Sequence, residues 1–350
     1  MSDLLSTIQA ERIGRTLVIS EPDCGLLALI VLDDLTLGPG AGGIRTKSYP
    51  NESEALRDAA RLARAMTIKC ALAGLDAGGA KGVVLDHPGL DRTRAFLRLG
   101  EAIEDLRGLF HTAGDLGTTP ADLRLMASRT RYVHPEEDLT IATGRGLLRS
   151  MEAVARHAGR DGVRGLRVAI QGAGAIGAAA ARALVDAGAV VTIADLDRPR
   201  AAHVAHQTGA QVGDPESILE LEVDVIAPCA IGGVITRALV PRIRAFAVCG
   251  AANNALADDS VAEALRAARI LHVPDMIASA GAVIVGISRA VMGQSDPTPL
   301  IDALGDTTTQ VLSEAKASGR TPLEVAQARA KARIRERRLA ALGAGSFTRT

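Results

Sequence analysis

Two lysines and an aspartate hold the residue types from which proton-transfer chemistry could be built. Lys69 and Lys81 both stand among apolar and glycine residues, the second inside Leu75-Asp76-Ala77-Gly78-Gly79-Ala80-Lys81-Gly82. An ammonium group normally sits on a solvated face, because burying it is costly. If Lys81 is buried near Lys69, desolvation and like charge both push its pKa down, and a partly neutral amine can act as a general base. Lys69 could keep its charge and hold a substrate carboxylate. Asp115, in Thr112-Ala113-Gly114-Asp115-Leu116-Gly117-Thr118-Thr119, could relay a proton. The plainer alternative is a pair of exposed loop lysines, and spacing alone leaves both open.

A second chemistry is written in glycine. Gly172, Gly174 and Gly177 fit G-x-G-x-x-G, with a strand-like run before and an alanine-rich helical run after. The first glycine permits a tight turn, the second lets backbone approach a pyrophosphate, and the third allows close helix–strand packing. The helix start, here Ala175 and Ile176, offers free N–H groups and positive dipole to phosphates. Asp195 follows at the distance of an acid that binds ribose hydroxyls, which favours NAD over NADP. Arg198 and Arg200 lie just beyond and weaken that preference. A bare triplet could be a turn that binds nothing; strand, helix and acid together point to a dinucleotide.

The elements that must position these residues are partly legible. Leu26–Leu32 reads as a buried strand. Asn51 and Glu54 form a candidate capping box, and Ala55, Leu56, Ala59, Leu62, Ala63 and Met66 recur at helical spacing up to Thr67-Ile68-Lys69. Strand-like runs at Leu166–Ile170, Ala189–Ala194, Val223–Ala227, Ala245–Cys249 and Ile270–Val273 alternate with helical or polar stretches, the pattern of a parallel α/β sheet. Residues Leu300–Leu342 are helical in composition, and the run Lys331–Arg338 reads as a solvated helix face.

Composition narrows the rest. The chain has 350 residues, 40 Lys+Arg against 40 Asp+Glu, 47% hydrophobic residues, 2% aromatics and no Trp. A zero balance gives no field for nucleic acid or anionic lipid, and the apolar share is too high for a disordered chain. No apolar run reaches membrane-span length, and Met1–Ala10 lacks signal-peptide character. Cys24, Cys70, Cys229 and Cys249 are scattered without metal-ligand spacing, so no metal is expected and a reduced, cytoplasmic setting is. His87, His111, His134, His203, His206 and His272, six of the seven histidines, form no ligand pattern.

The segment Lys69–Val83 resembles the active-site signature of the glutamate/leucine/phenylalanine/valine dehydrogenases. The resemblance continues through Gly38–Arg45 (GPGAGGIR), Met66–Lys69 (MTIK), Thr112–Thr119, Ala142–Gly146 (ATGRG), the Gly172–Gly177 loop, Ala227–Ala230 (APCA), Gly250–Asn254 (GAANN) and Pro274–Val283 (PDMIASAGAV). Each piece is weak alone; their order is specific, and the length is similar to the leucine/phenylalanine branch. The resemblance implies an α/β fold: an N-terminal substrate-binding and oligomerisation domain over 1–142, a Rossmann NAD-binding domain over 143–285, C-terminal helices over 286–350 returning to the first, and a cleft between the domains. It implies reversible, NAD-dependent oxidative deamination of an L-amino acid to a 2-oxo acid and ammonia, in a homo-oligomer without nucleic-acid or membrane partners. Lys69 would bind the α-carboxylate near the Gly42-Gly43 backbone, Lys81 would activate water, and Asp115 would assist proton transfer at the amino group. Thr143 and Asn253 would orient the nicotinamide, with Cys229, Ala230 and Ala252 beside the cofactor.

The resemblance also frames the side-chain pocket, with Ala41, Met66, Ser279, Val283 and Gly286 at substrate positions. The glutamate branch carries a lysine where this chain has Ala41, which argues against glutamate. Ala41 and Gly286 are smaller than the leucine-type residues, implying a bulky or aromatic side chain; a branched-chain substrate is the alternative. Ser279 stands where the family has an Asn that contacts the amino acid, and a hydroxyl has fewer hydrogen-bond sites than an amide. The segment His134–Ile141 is shorter than in leucine-type relatives. These departures keep a second class open, a catalytically weak NAD-binding protein of the same fold.

Overall fold

The structure is a computed structural model that describes residues 4–135 and 139–345. The chain divides into two units. The first takes the described residues of Met1–Glu137, Gly286–Ser295 and Ala330–Thr350, and the second Asp138–Val285 and Asp296–Arg329. The stretch Asp296–Arg329 therefore packs with the second unit. This differs from the expectation that everything from 286 onward returns to the first.

In the first unit, α1 (Leu4–Ala10), β1 (Arg15–Glu21), β2 (Leu26–Leu32), β3 (Gly40–Ala41), β4 (Ile44–Lys47), α2 (Glu52–Leu72), β5 (Gly78–Leu85), α3 (Arg92–Asp105), β6 (Phe110–His111) and α4 (Pro120–Ala127) follow in order. The sheet runs β1-β2-β5-β3-β6, with β4 also on β5. Its β1–β2 and β2–β5 pairs are antiparallel and the others parallel. The unbroken apolar run of β2 has a simple cause: both its faces are covered. Leu26, Ala28, Ile30 and Leu32 join a core with Phe96, Leu99, Ile103 and Phe110. Leu29 and Val31 point the other way, to Leu56, Ala59, Ala63 and Val83. Helix α2 starts as expected, with the Asn51 side chain accepting from Glu54 N–H at 2.9 Å. The Glu54 carboxylate instead pairs with Arg57.

Glycine sets how closely α2 and β5 approach. A Cβ on Gly79 would lie 2.2 Å from the Ala63 carbonyl oxygen and 2.3 Å from Thr67 N. Because strand residues alternate, Gly79, Lys81 and Val83 share one face, and Val83 packs on α2. Lys81 thus points to the side of the sheet covered by the helix that carries Lys69 in its last turn.

The second unit holds α5 (Leu139–His157), β7 (Arg167–Gln171), α6 (Ala175–Asp186), β8 (Val190–Ala194), α7 (Arg198–Thr208), β9 (Gln211–Val212), β10 (Val225–Pro228), β11 (Ala247–Val248), α8 (Ser260–Ala267), β12 (Leu271–His272), α9 (Asp275–Ala278) and α11 (Thr298–Ser318). Helices α10 (Gly281–Met292) and α12 (Pro322–Gly345) have residues in both units. The sheet order is β12-β11-β10-β7-β8-β9, and every pair is parallel, the doubly wound arrangement of a Rossmann domain. Its core is built from Leu147, Met151, Leu166, Val168, Ile170, Leu184 and Ile193. Arg145 and Arg149 both reach Asp302, tying α5 to α11. No described helix is long and apolar enough to cross a membrane.

Candidate active site

The lysine cluster lies in the first unit. Lys81 is 5% exposed and Lys69 9%, so the exposed-loop alternative does not hold. Lys81 Nζ is 3.0 Å from Asp115 Oδ2. Burial pushes the Lys81 pKa below its ordinary value; Asp115 opposes that shift, while the charges of Arg45 and Lys69 add to it. For Asp115, burial works upward, but Lys81 and Arg45 outweigh it and hold the carboxyl below the usual range. The arrangement therefore contains an amine biased toward its neutral form beside a carboxylate biased toward its charged form.

Backbone brings Asp115 to Lys81. Ile44 N–H donates to the Ala113 carbonyl at 2.9 Å, and Gly42 N–H to the His111 carbonyl at 3.2 Å. A Cβ on Gly43 would sit 2.7 Å from the Gly114 carbonyl and 3.0 Å from Asp115 Cβ, and one on Gly42 would enter the Ala80 carbonyl. The Gly-Gly pair is thus what lets the Asp115 loop close over β5. Met66 is half-buried on α2, one turn before Lys69.

Arg45 is the residue that the sequence reading missed. Its Nε donates to Asp115 Oδ2 at 2.7 Å and its Nη1 to Asp58 Oδ2 at 2.9 Å. Asp58 also accepts from the Tyr49 hydroxyl at 2.8 Å and from Arg61 at 2.7 Å. Asp58 lies off the apolar face of α2, and a polar face in the sequence does not reveal which of its charges will be covered. Arg45 stood within the GPGAGGIR piece, and nothing in its spacing tied it to a residue seventy positions away.

The glycine loop lies in the second unit. Gly172 adopts φ +104°, where an L side chain would be strained, and a Cβ there would meet Ala230. A Cβ on Gly177 would enter the Gly172 carbonyl. Gly174, by contrast, has open space around it and caps α6 without a side-chain hydrogen bond. Gly174 and Ala175 are exposed, while Ile176 is half-buried. An uncapped helix start with an open approach is a cradle that the phosphates of a dinucleotide fit.

Around this cradle, Asp195 Oδ2 accepts from Ala173 N–H at 2.7 Å, and Oδ1 accepts from Asp197 N–H at 2.9 Å and Arg200 at 2.8 Å. Arg198 pairs with Asp214 instead. Cys229 follows β10, and burial pushes its thiol up to about 11, so it is a packed, unreactive group. Thr143 is buried and donates its hydroxyl to the Leu139 carbonyl at 3.0 Å, which leaves the oxygen able to accept. Ala252 is buried and Asn253 exposed. Ser279 Oγ lies 2.6 Å from the Asp275 carbonyl and 3.3 Å from Asn253 Oδ1, so the structure places it beside Asn253.

The pocket residues separate. Ala41 is fully buried between β5 and β6, so its methyl borders no solvent-reachable space. Gly286 has nothing within 4 Å of where a Cβ would stand, and Val283 sits one turn away on the same face of α10. Of the segment His134–Ile141, residues 136–138 lie outside the described residues.

Comparison with known proteins follows the same division. Residues 16–132 match the model for the Glu/Leu/Phe/Val dehydrogenase dimerisation domain, and residues 137–199 and 197–295 match that for glutamate/leucine/phenylalanine/valine dehydrogenase. The chain is 38% identical to leucine dehydrogenase of Geobacillus stearothermophilus over 77% of its length and 76% of that protein's. It is 33% identical to phenylalanine dehydrogenase of Caldalkalibacillus thermarum over 95% of each. The crystal structure of L-tryptophan dehydrogenase from Nostoc punctiforme superposes with a TM-score of 0.84 at 30% identity, covering 96% of this chain and 99% of that one. With the lysine cluster on one unit, the dinucleotide cradle on the other and these matches across nearly the whole chain, the protein belongs to the Glu/Leu/Phe/Val dehydrogenase family and is an amino acid dehydrogenase.

Proposed function

We propose that this enzyme uses NAD to oxidise a large hydrophobic L-amino acid to its 2-oxo acid and ammonia. The buried Lys81–Asp115 pair carries the reading. A salt bridge whose lysine side chain is 6% exposed is a costly structural ornament, but it is the pair a deamination needs. Lys69 holds the α-carboxylate and so fixes Cα. Asp115 accepts a proton from the substrate ammonium, leaving the amine lone pair free to assist loss of hydride from Cα. The nicotinamide, when bound, supplies the two-electron acceptor for that hydride. Neutral Lys81 then takes a proton from water as its oxygen bonds to the imine carbon. Lys81 returns that proton to the nitrogen and takes up the hydroxyl proton as C–N breaks, so that ammonia leaves and the C=O of the oxo acid forms. Thr143 and Asn253 would orient the nicotinamide, and Gly172, Gly174, Ala175 and Gly177 would receive the pyrophosphate.

Asp195 at the end of β8 supports NAD, because a carboxylate repels a 2′-phosphate. Arg200 at 2.8 Å softens that repulsion, so some use of NADP is expected. For the side chain, the absence of a Cβ at Gly286 supports a bulky or aromatic substrate, whereas Ala41 is too enclosed to add to the argument. The Geobacillus relative supports a branched-chain substrate as the second reading.

The first unit's match to a dimerisation domain supports a homo-oligomer. So does β1, an edge strand with Val18 46% exposed, the kind of edge that proteins normally cover. Four free, buried cysteines suit a reducing cytoplasm.

The test is absorbance at 340 nm with a panel of L-amino acids and either NAD or NADP. Rapid reduction with Phe, Trp or Tyr supports the main reading and faster turnover of Leu or Val the second. A preference for glutamate, or silence across the panel with dinucleotide binding intact, would sink both.

A further inference from the structure

We propose that Arg45 is a positioning residue for the reaction: its fork spans Asp115 and Asp58 and holds the Asp115 carboxylate in place while Lys81 gains and loses its proton. The inference rests on the dehydrogenase chemistry proposed above and adds a residue to it.

The geometry is specific at the level of atoms. Lys81 Nζ and Arg45 Nε approach the same oxygen of Asp115, Oδ2, at 3.0 and 2.7 Å. Arg45 is held at its other end by Asp58, itself fixed by the Tyr49 hydroxyl and Arg61. The guanidinium side chain is 17% exposed and that of Asp58 15%, so neither is an ordinary surface charge.

Chemistry gives the arrangement a purpose. Lys81 must alternate between ammonium and amine, so its pairing with Asp115 is broken and remade in every turnover. A carboxylate held by Lys81 alone would lose its partner at the step that uses Lys81 as a base. A guanidinium cannot lose its proton in a protein, so Arg45 supplies a constant second partner. Its planar fork spans two carboxylates, which a lysine cannot reproduce. Its fixed charge also disfavours protonation of Lys81.

The test is the pH profile of kcat/KM for oxidative deamination in Arg45→Gln, Arg45→Lys and Asp58→Asn, with Tm and NADH affinity measured alongside. In Arg45→Gln the ascending limb should move to higher pH by about one unit, with NADH affinity unchanged. Arg45→Lys keeps the charge, so its limb should stay in place while kcat falls about tenfold. Asp58→Asn should lower kcat less, and adding it to Arg45→Gln should cost nothing further, because both act through one guanidinium. An unmoved limb in Arg45→Gln, or effects that simply add, overturns the proposal. If Arg45→Gln does not fold, the other two variants decide: wild-type kcat in both overturns it. A wild-type enzyme that oxidises no amino acid would instead sink the underlying reading, whereas normal wild-type turnover with an unmoved limb sinks only the role of Arg45.

Discussion

Lys81 illustrates how burial turns a common side chain into a reagent. Its ordinary pKa is near 10.4; desolvation is the main cause of the lowering, and Asp115 restores only part of it. The base must be neutral, so deamination is expected to rise with pH through a point below that ordinary value, as a stopped-assay pH series would report. Lys81→Ala should lower kcat by about 10²–10⁴-fold, while NADH titration by fluorescence stays at the wild-type affinity. At the cofactor, Arg200→Ala would leave Asp195 with less compensating charge. The ratio of kcat/KM for NAD over NADP should then rise, by roughly fivefold given how little an exposed ion pair contributes; a falling ratio would show that Arg200 works against NADP. Lys69 and Lys81 stood out because lysines among glycines and apolar residues break an ordinary pattern, but spacing alone left exposed loop lysines open, and it was the resemblance that singled out their roles and that of Asp115. Arg45 and Asp58 were not, because each looks ordinary in its own element and becomes unusual only when strand, helix and loop fold together.

At the scale of elements, glycine does the positioning. Gly79 lets α2 close on β5 and so brings Lys69 and Lys81 to the same side of the sheet. A methyl there has no room against the Ala63 carbonyl and Thr67 N. Gly79→Ala should destabilise the protein by about 1–3 kcal/mol, visible as a fall of several degrees in Tm, and kcat should fall with it; an unchanged Tm would mean that α2 shifts freely. Sequence patterning found β2, β7 and β8 to within a residue because each has an apolar run, and the start of α2 from its cap, although α2 runs three residues beyond Lys69. It offered nothing for β1, where only Ile19 is buried, nor for the two-residue strands β3, which pairs with β5 and β6, and β6, which pairs with β3. The apolar runs around β11 and β12 were visible but longer than the strands, since only two residues of each join the ladder.

For the whole molecule, thiol chemistry offers a simple global probe. All four cysteines are free and buried, so a chromogenic thiol reagent should label none in the native protein and four after unfolding. Early labelling of one cysteine would reveal a unit that opens before the rest. Light scattering should return a mass above the 36.2 kDa of one chain if the first unit pairs with a copy of itself, and a monomer would remove that reading. The two-unit organisation was legible from the glycine signatures. The return of the chain was only half legible, because helical composition does not say which core a C-terminal helix joins.

That return has a consequence for how the protein is made. Arg333 in α12 donates to the Ala71 carbonyl at 2.9 Å and reaches Asp76 at 3.2 Å, closing the end of the helix that carries Lys69. Roughly 190 residues separate Glu137 from Ala330. At ordinary translation speeds, about 10–40 s pass on the ribosome between the two halves of the first unit. The second unit has all its strands before then, so it can fold while the first still waits. The nascent chain would thus acquire its dinucleotide cradle before it finishes its lysine site, and a chaperone would meet an N-terminal half whose last helix has yet to be synthesised.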